Sequence, residues 1–281
     1  MKSRFTTFVV TISLLLLFTG SGVCQNKVSA ADLVDKVGQG NINWSAGYIE
    51  AVGIGAPPDN LIRKINARPI ALREAKANAL HNLLEIIKSV QVDSAISIKD
   101  FTAGSDIVDT QVKALVKGAI ITDYQYMSVG TAEVRLTMPL YGNLAKIIIP
   151  LTMSMALPIP SASKVPEHVV CTGLVIDARG IQARPALLPR IFDEDGNEIY
   201  GSANVDVEYA MKEGMSGYSR DLMAAQSNQR VGTNPITVKA LRSSGAGKSD
   251  MIISNADAQK VRSSAVRASF LKQCNVMIVL D

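Results

Sequence analysis

Between Pro69 and Ser89 the sequence reads PIALREAKANALHNLLEIIKS. Leu72, Ala75, Ala79, Leu83 and Ile86 recur at three- and four-residue spacing, and Leu80, Leu84 and Ile87 widen the apolar stripe. Arg73, Glu74, Lys76, Asn78, His81, Asn82, Glu85 and Lys88 lie mostly off it. The spacing predicts an amphipathic helix of about five turns. Pro69 suits its first position, where a missing N–H costs nothing. Alanines on the buried face let the helix lie close on a sheet, so the flanking segments have to supply one.

The preceding segment has the period of a strand. From Asn43, Trp44, Ala46, Tyr48, Glu50, Val52 and Ile54 alternate with Ser45, Gly47, Ile49, Ala51, Gly53 and Gly55. Its glycines point to a bulge or to the close approach of another backbone. Pro57-Pro58-Asp59-Asn60 ends it, while Asn26–Gly40 reads as a short helix or tail. After the helix, Val90–Ile98 is expected as a strand, followed by a polar loop around Ala103-Gly104-Ser105. Asp106–Lys117 is expected as a short amphipathic helix. Ala119–Ser128 and Thr131–Pro139 flank Val129-Gly130 as a hairpin. The order β-α-β-α-β-β describes an α+β domain over residues 41–150, with one long helix across a sheet.

Leu144–Leu157 is nearly all apolar but split by Pro150. It is expected to be buried as the last core segment of this domain, the alternative being an exposed contact surface. Residues 151–166, with Pro158, Pro160 and Pro166, read as a linker. A second α+β domain is expected over 167–281. Its strands are Val169–Ala178, a hairpin around Asp193-Glu194-Asp195-Gly196-Asn197, Ile236–Arg242, Asp250–Ser254 and Asn275–Leu280. Short helices are expected at Val207–Lys212 and Arg220–Gln229, and a longer one runs to Ala268, capped by Ser254 or Asn255.

At the N-terminus, Lys2 and Arg4 precede an apolar run ending at Phe18, then Thr19-Gly20-Ser21-Gly22. This is the form of a secretory signal within residues 1–30, and the run is short for a membrane-spanning helix. Val23 before Cys24 departs from the lipoprotein pattern, so cleavage after Cys24 or Ala30 is expected rather than lipid attachment. Export permits a disulfide between Cys171 and Cys274. They lie at or beside the first and last strands of the second domain, where two buried thiols are the alternative.

Charge and motifs exclude several functions. With 29 basic and 25 acidic residues, and two of the basic ones in the signal, there is no basis for nucleic-acid binding. Gly53-Ile54-Gly55 lacks the third glycine of a dinucleotide fingerprint, because Pro58 stands there. Gly247-Lys248-Ser249 resembles the end of a phosphate loop, but Arg242 occupies the position of its first glycine, so a mobile hairpin tip is expected. The acidic turn at 193–197 fails the calcium-loop pattern at Glu198. His81 and His168 have no partner at metal-ligand or triad spacing. The chain therefore reads as non-enzymatic, with no catalytic, cofactor-binding or metal residue assigned.

The pattern W-x-x-G-x-I-x-A-x-G-x-G is carried by Trp44, Gly47, Ile49, Ala51, Gly53 and Gly55. It is followed by Ala71, Ala75 and Ala79 and by Met138-Pro139-Leu140. Together these resemble the Lpp-type, flagellum-associated outer-membrane lipoprotein family, which includes flagellar assembly lipoprotein P. Its fold is similar to the N-terminal domain of flagellar assembly protein T. The resemblance covers about residues 41–150. It implies a structural role in the cell envelope, in rings or disks around a flagellar motor, with homo-oligomers and basal-body or envelope proteins as partners. It supplies no catalytic residue. The imperfect lipid-attachment signal at Val23-Cys24 departs from the lipoprotein members. A periplasmic module binding a glycan, peptide or lipid is the alternative function.

Overall fold

The computed structural model describes residues 29–62, 64–127, 130–153, 171–265 and 269–281. Residues 1–28 of the expected signal, with Cys24, residues 154–166 of the expected linker, and His168 lie outside them. Two α+β units follow one another. In the first, five antiparallel strands lie in the order β1-β2-β3-β5-β4. They are β1 (Val34–Val37), β2 (Gly40–Asn43), β3 (Tyr48–Gly55), β4 (Ile120–Tyr126) and β5 (Ala132–Pro139). Helix α1 (Ala67–Ser89) crosses β3 and β5 with Ala71, Ala75, Ala79, Leu83, Ile86 and Ile87 buried. It starts two residues before Pro69, which still falls in the first turn, where no N–H is needed.

The glycines of β3 explain how closely helix and sheet meet. A Cβ on Gly53 would lie 2.1 Å from the backbone N of Ala79, and one on Gly55 would lie 2.2 Å from that of Ala75. Only glycine on the strand permits this approach. Beyond Ala51, which pairs with Gly40, β3 extends past its partner β2. Asn82 and Asn78 of α1 donate to the carbonyls of Val52 and Ile54, each at 2.8 Å. The i, i+4 spacing of the two amides matches two successive outward carbonyls of the strand.

Several expectations need correction. Asn26–Gly40 contributes strand: β1 and β2 form a hairpin whose turn uses Gly38 at φ +52°. Trp44 stands in the turn after β2, not in a strand; its Nε1 donates to Asp35 and its ring meets Tyr218 edge-on at 5.6 Å. Val90–Ile98 is a looped connection with one isolated bridge, Gln91 to Ser97, not a sheet strand. The expected polar loop at 103–105 is largely helix α2 (Ile98–Gly104), held by a reciprocal Ser97–Asp100 cap. Helix α3 (Asp106–Lys117) follows, capped by Ser105. The apolar run is buried on one side of its described part: in α4 (Asn143–Met153), Leu144, Ala145, Ile148 and Ile149 are inaccessible, whereas Pro150 and Leu151 are exposed.

The second unit is a seven-stranded mixed sheet in the order β8-β7-β11-β10-β6-β12-β9. Its strands are β6 (Gly173–Asp177), β7 (Ile191–Phe192), β8 (Glu198–Tyr200), β9 (Gly217–Ser219), β10 (Pro235–Ser244), β11 (Asp250–Ile253) and β12 (Val276–Val279). Helices α5 (Val207–Glu213), α6 (Leu222–Gln226) and α7 (Asn255–Ala265) lie between them. β6 runs parallel to both β10 and β12; β6 and β12 are buried on both faces and read as apolar runs, whereas β10 alternates buried Val238 and Ala240 with exposed Thr237, Lys239 and Leu241. The first and last strands of this unit are neighbours, yet Cys171 and Cys274 are not bridged to each other. Cys274 is buried in a turn at φ +57°.

The loop at 90–98 binds the two units together, which is why it joins neither sheet as a regular strand. The carbonyls of Gln91 and Val92 accept from Leu187 and Leu188. Ser94 Oγ donates to Asp250 at 2.6 Å, and Arg190 grips Asp250 through two nitrogens and reaches Ser94 at 3.0 Å. The β10–β11 tip, expected to be mobile, touches this loop: Gly247 N donates to the Ser94 carbonyl and Ser249 is fully inaccessible, while Gly245, Ala246 and Lys248 are exposed. One apolar core runs through both units.

Candidate interaction surface

β4 is an edge strand, and every one of its seven residues is exposed. Its register on β5 sets Ile121 opposite Leu136, Tyr124 opposite Val134 and Tyr126 opposite Ala132. These three β5 residues are buried on the face that α1 covers. Ile121, Tyr124 and Tyr126 therefore continue the apolar face of the sheet past the helix and into solvent. Tyr124 and Tyr126 meet edge-on at 6.2 Å, and the Arg68 guanidinium sits 5.4 Å from the Tyr126 ring. Thr122 is a bulge between the two halves of the strand, and its hydroxyl shares a hydrogen bond with Thr137. On the other face Asp123 stands opposite Arg135, whose guanidinium is drawn to Glu50 at 2.5 Å.

A second feature is a cleft of about 650 Å³ between the two units. Its walls are the turn at Ser45–Gly47, the end of α3, Tyr141–Leu144, the end of α5 and Arg230. Gly214 has φ +78°, and a Cβ there would strike the Tyr141 ring at 2.4 Å, so this corner requires glycine twice over. The Tyr141 hydroxyl donates to the Ser216 carbonyl at 3.5 Å, and burial pushes its pKa up to about 12 against the opposing charge of Arg230. Arg230 donates to the carbonyls of Gly214 (3.1 Å), Cys274 (2.8 Å) and Glu213. Its donors thus cap the end of α5. The cleft mixes polar and apolar walls, and of its two cations Arg230 is engaged by backbone carbonyls while the exposed Lys212 sits 3.3 Å from Glu213.

The motifs weighed from the sequence take structural places. Asp193 organises its turn, accepting from the N–H groups of Asp195 and Asn197 and from Arg262 at 2.7 Å. Burial disfavours its charge, but Arg262 and Asn197 outweigh that and hold its carboxyl below the usual range. Burial pushes the Glu198 carboxyl up, against the pull of Arg190. His81 is exposed on α1. Among the described residues no cluster of three or more His, Cys, Asp or Glu side chains is placed to hold a metal. No described helix is long and apolar enough to cross a membrane.

Comparison with known proteins bears on the second unit. Residues 173–281 match the family described as Treponema pallidum Tp0624, second domain. The matched span begins at the first residue of β6 and contains all seven strands of the mixed sheet. Residues 41–150, for which a flagellum-associated family is expected, lie outside the matched span. No curated protein matches the chain.

The exposed apolar strip was not foreseen. The segment IITDYQY reads as a hairpin strand, and apolar or aromatic side chains occur on both of its faces. That lack of alternation was the available signal. Its edge position is a property of strand order, which periodicity does not encode.

Proposed function

We propose that this is an exported structural or assembly protein of the cell envelope, acting by self-association and by contact with other envelope proteins rather than by catalysis. The observation that carries this reading is β4, a fully exposed edge strand bearing Ile120, Ile121, Tyr124 and Tyr126. An edge strand is a template for pairing, and although β4 carries a bulge at Thr122 and a charge at Asp123, its large apolar side chains stay exposed, which supports reading it as a contact surface. The resemblance of residues 41–150 to flagellum-associated lipoproteins supports the same role and suggests basal-body partners.

The test is chemical cross-linking in intact envelopes followed by purification of the tagged chain, with a reporter fused to residues 1–40. Export of the reporter and recovery of self-linked species with envelope proteins are expected. A silent reporter, or a chain recovered only as monomer with cytoplasmic proteins, would refute the proposal. The cleft beside Tyr141 favours a second reading, a periplasmic binding module. That reading requires a monomer whose melting temperature rises with an added glycan, peptide or lipid.

A further inference from the structure

We infer that β4 pairs antiparallel with the β4 of a second copy about a two-fold axis at Tyr124, joining two five-stranded sheets into one. The inference rests on the self-association proposed above and names its surface.

The occupant follows from what the other edges offer. At the far side of the first sheet, β1 has four residues and stands beside Arg184, Pro185 and Gly247 of the second unit. In the second sheet, β9 has three residues and is flanked by Ala31, which accepts from Ser219 Oγ and Arg220 N. At the opposite edge, β8 also has three. Among the described residues β4 is the only edge strand of seven, so the best complement this chain provides for β4 is another β4. A two-fold contact of this kind uses up both edges and closes, whereas pairing to a different edge would propagate.

The residues select the register. Facing residues in an antiparallel pair share a side of the sheet, and a two-fold axis normal to the sheet sets one residue against itself. An axis at Asp123 would oppose two carboxylates, which is destabilising. An axis at Tyr124 sets Asp123 against Gln125 of the second copy. Gln125 already donates to Glu133 at 3.3 Å, and its amide has a second N–H to give. The same axis brings Tyr124 against its own copy on the helix side, with the Tyr126 rings, each beside Arg68 and still 40% exposed, alongside. The bulge at Thr122 ends the regular ladder, which confines the pairing to a short central stretch.

The experiment uses the mature exported chain in size-exclusion chromatography with light scattering, across a concentration series. The parent chain is expected as a dimer. Tyr124→Lys, at an exposed site, should leave the chain folded, with the melting of the dissociated monomer unchanged, and weaken dimerisation about tenfold or more, by lost contact and by charge repulsion at the axis. Under oxidation, Tyr124→Cys should give a covalent dimer, because the residue faces itself within disulfide reach. Asp123→Cys, which faces Gln125 of the second copy, should not. An oligomer that survives Tyr124→Lys and does not cross-link through Tyr124→Cys would overturn the β4 pairing while leaving self-association standing. A chain that stays monomeric at every concentration would overturn both.

Discussion

Replacing Gly53 by alanine adds one methyl group between β3 and α1. That methyl would lie 2.1 Å from the Ala79 nitrogen, 2.4 Å from the Ala75 carbonyl oxygen and 2.6 Å from the Ala79 Cα. All three are backbone atoms, so no side chain can rotate away. Ordinary contact needs about 3.4 Å or more, so α1 has to retreat by on the order of 1 Å. Overpacking of this kind costs roughly 1–3 kcal/mol. Retreat also stretches the Asn78 and Asn82 bonds to β3, worth about 1 kcal/mol each. The expected loss is therefore ~3–5 kcal/mol, or roughly a 10 °C fall in melting temperature for a chain of this size. Thermal and urea unfolding followed by circular dichroism would measure it. Gly104→Ala is the control: its Cβ meets nothing within 4 Å, and a gain of about 0.5 kcal/mol is expected. Ala79→Gly should not rescue Gly53→Ala, because the clash is with backbone. If Gly53→Ala melts with the parent, or Ala79→Gly rescues it, the close-approach argument is wrong.

Three further outcomes follow from the packing. Leu83→Asp puts an unpaired carboxylate at a fully inaccessible site and should abolish folding of the first unit, whereas the exposed Lys76→Glu should change stability by about 0.5 kcal/mol or less; equal solubility and melting of the two would show the wrong face assigned. Arg190→Ala leaves Asp250, 7% exposed, without its bidentate partner and should cost about 3 kcal/mol, measurable by urea unfolding. Asp193→Asn should destabilise at neutral pH. The native carboxyl lies below its unfolded value, so its contribution is present above the ordinary carboxylate range and lost as pH falls through the depressed value. The difference in melting temperature between parent and Asp193→Asn should therefore shrink in acid, and a constant difference would contradict the assignment.

Several elements were legible because their burial repeats along one stretch of chain. The stripe of α1 needed only its own residues, as did α3, the β4–β5 hairpin and the Asp-Gly turn between β7 and β8, where Gly196 has φ +83°. The glycines of β3 and the alanines of α1 were recognisable as a matched pair of small surfaces. The short strands β1 and β2 were not legible, since four residues hold too little period to separate strand from tail. Nor was the loop at 90–98, whose hydrogen-bond partners lie at 187–188 and 247–250, about a hundred residues or more away. Periodicity reports which side of an element is covered; it does not report by what. Amino-acid sequence alone thus determined that a long helix must lie close on a glycine-bearing strand, because size and spacing are local. Tertiary structure alone decided that β6 lies between β10 and β12, that Ser94 meets Asp250, and that β4 ends its sheet. Each of these depends on which distant segments become neighbours, and that is settled only when the whole core packs.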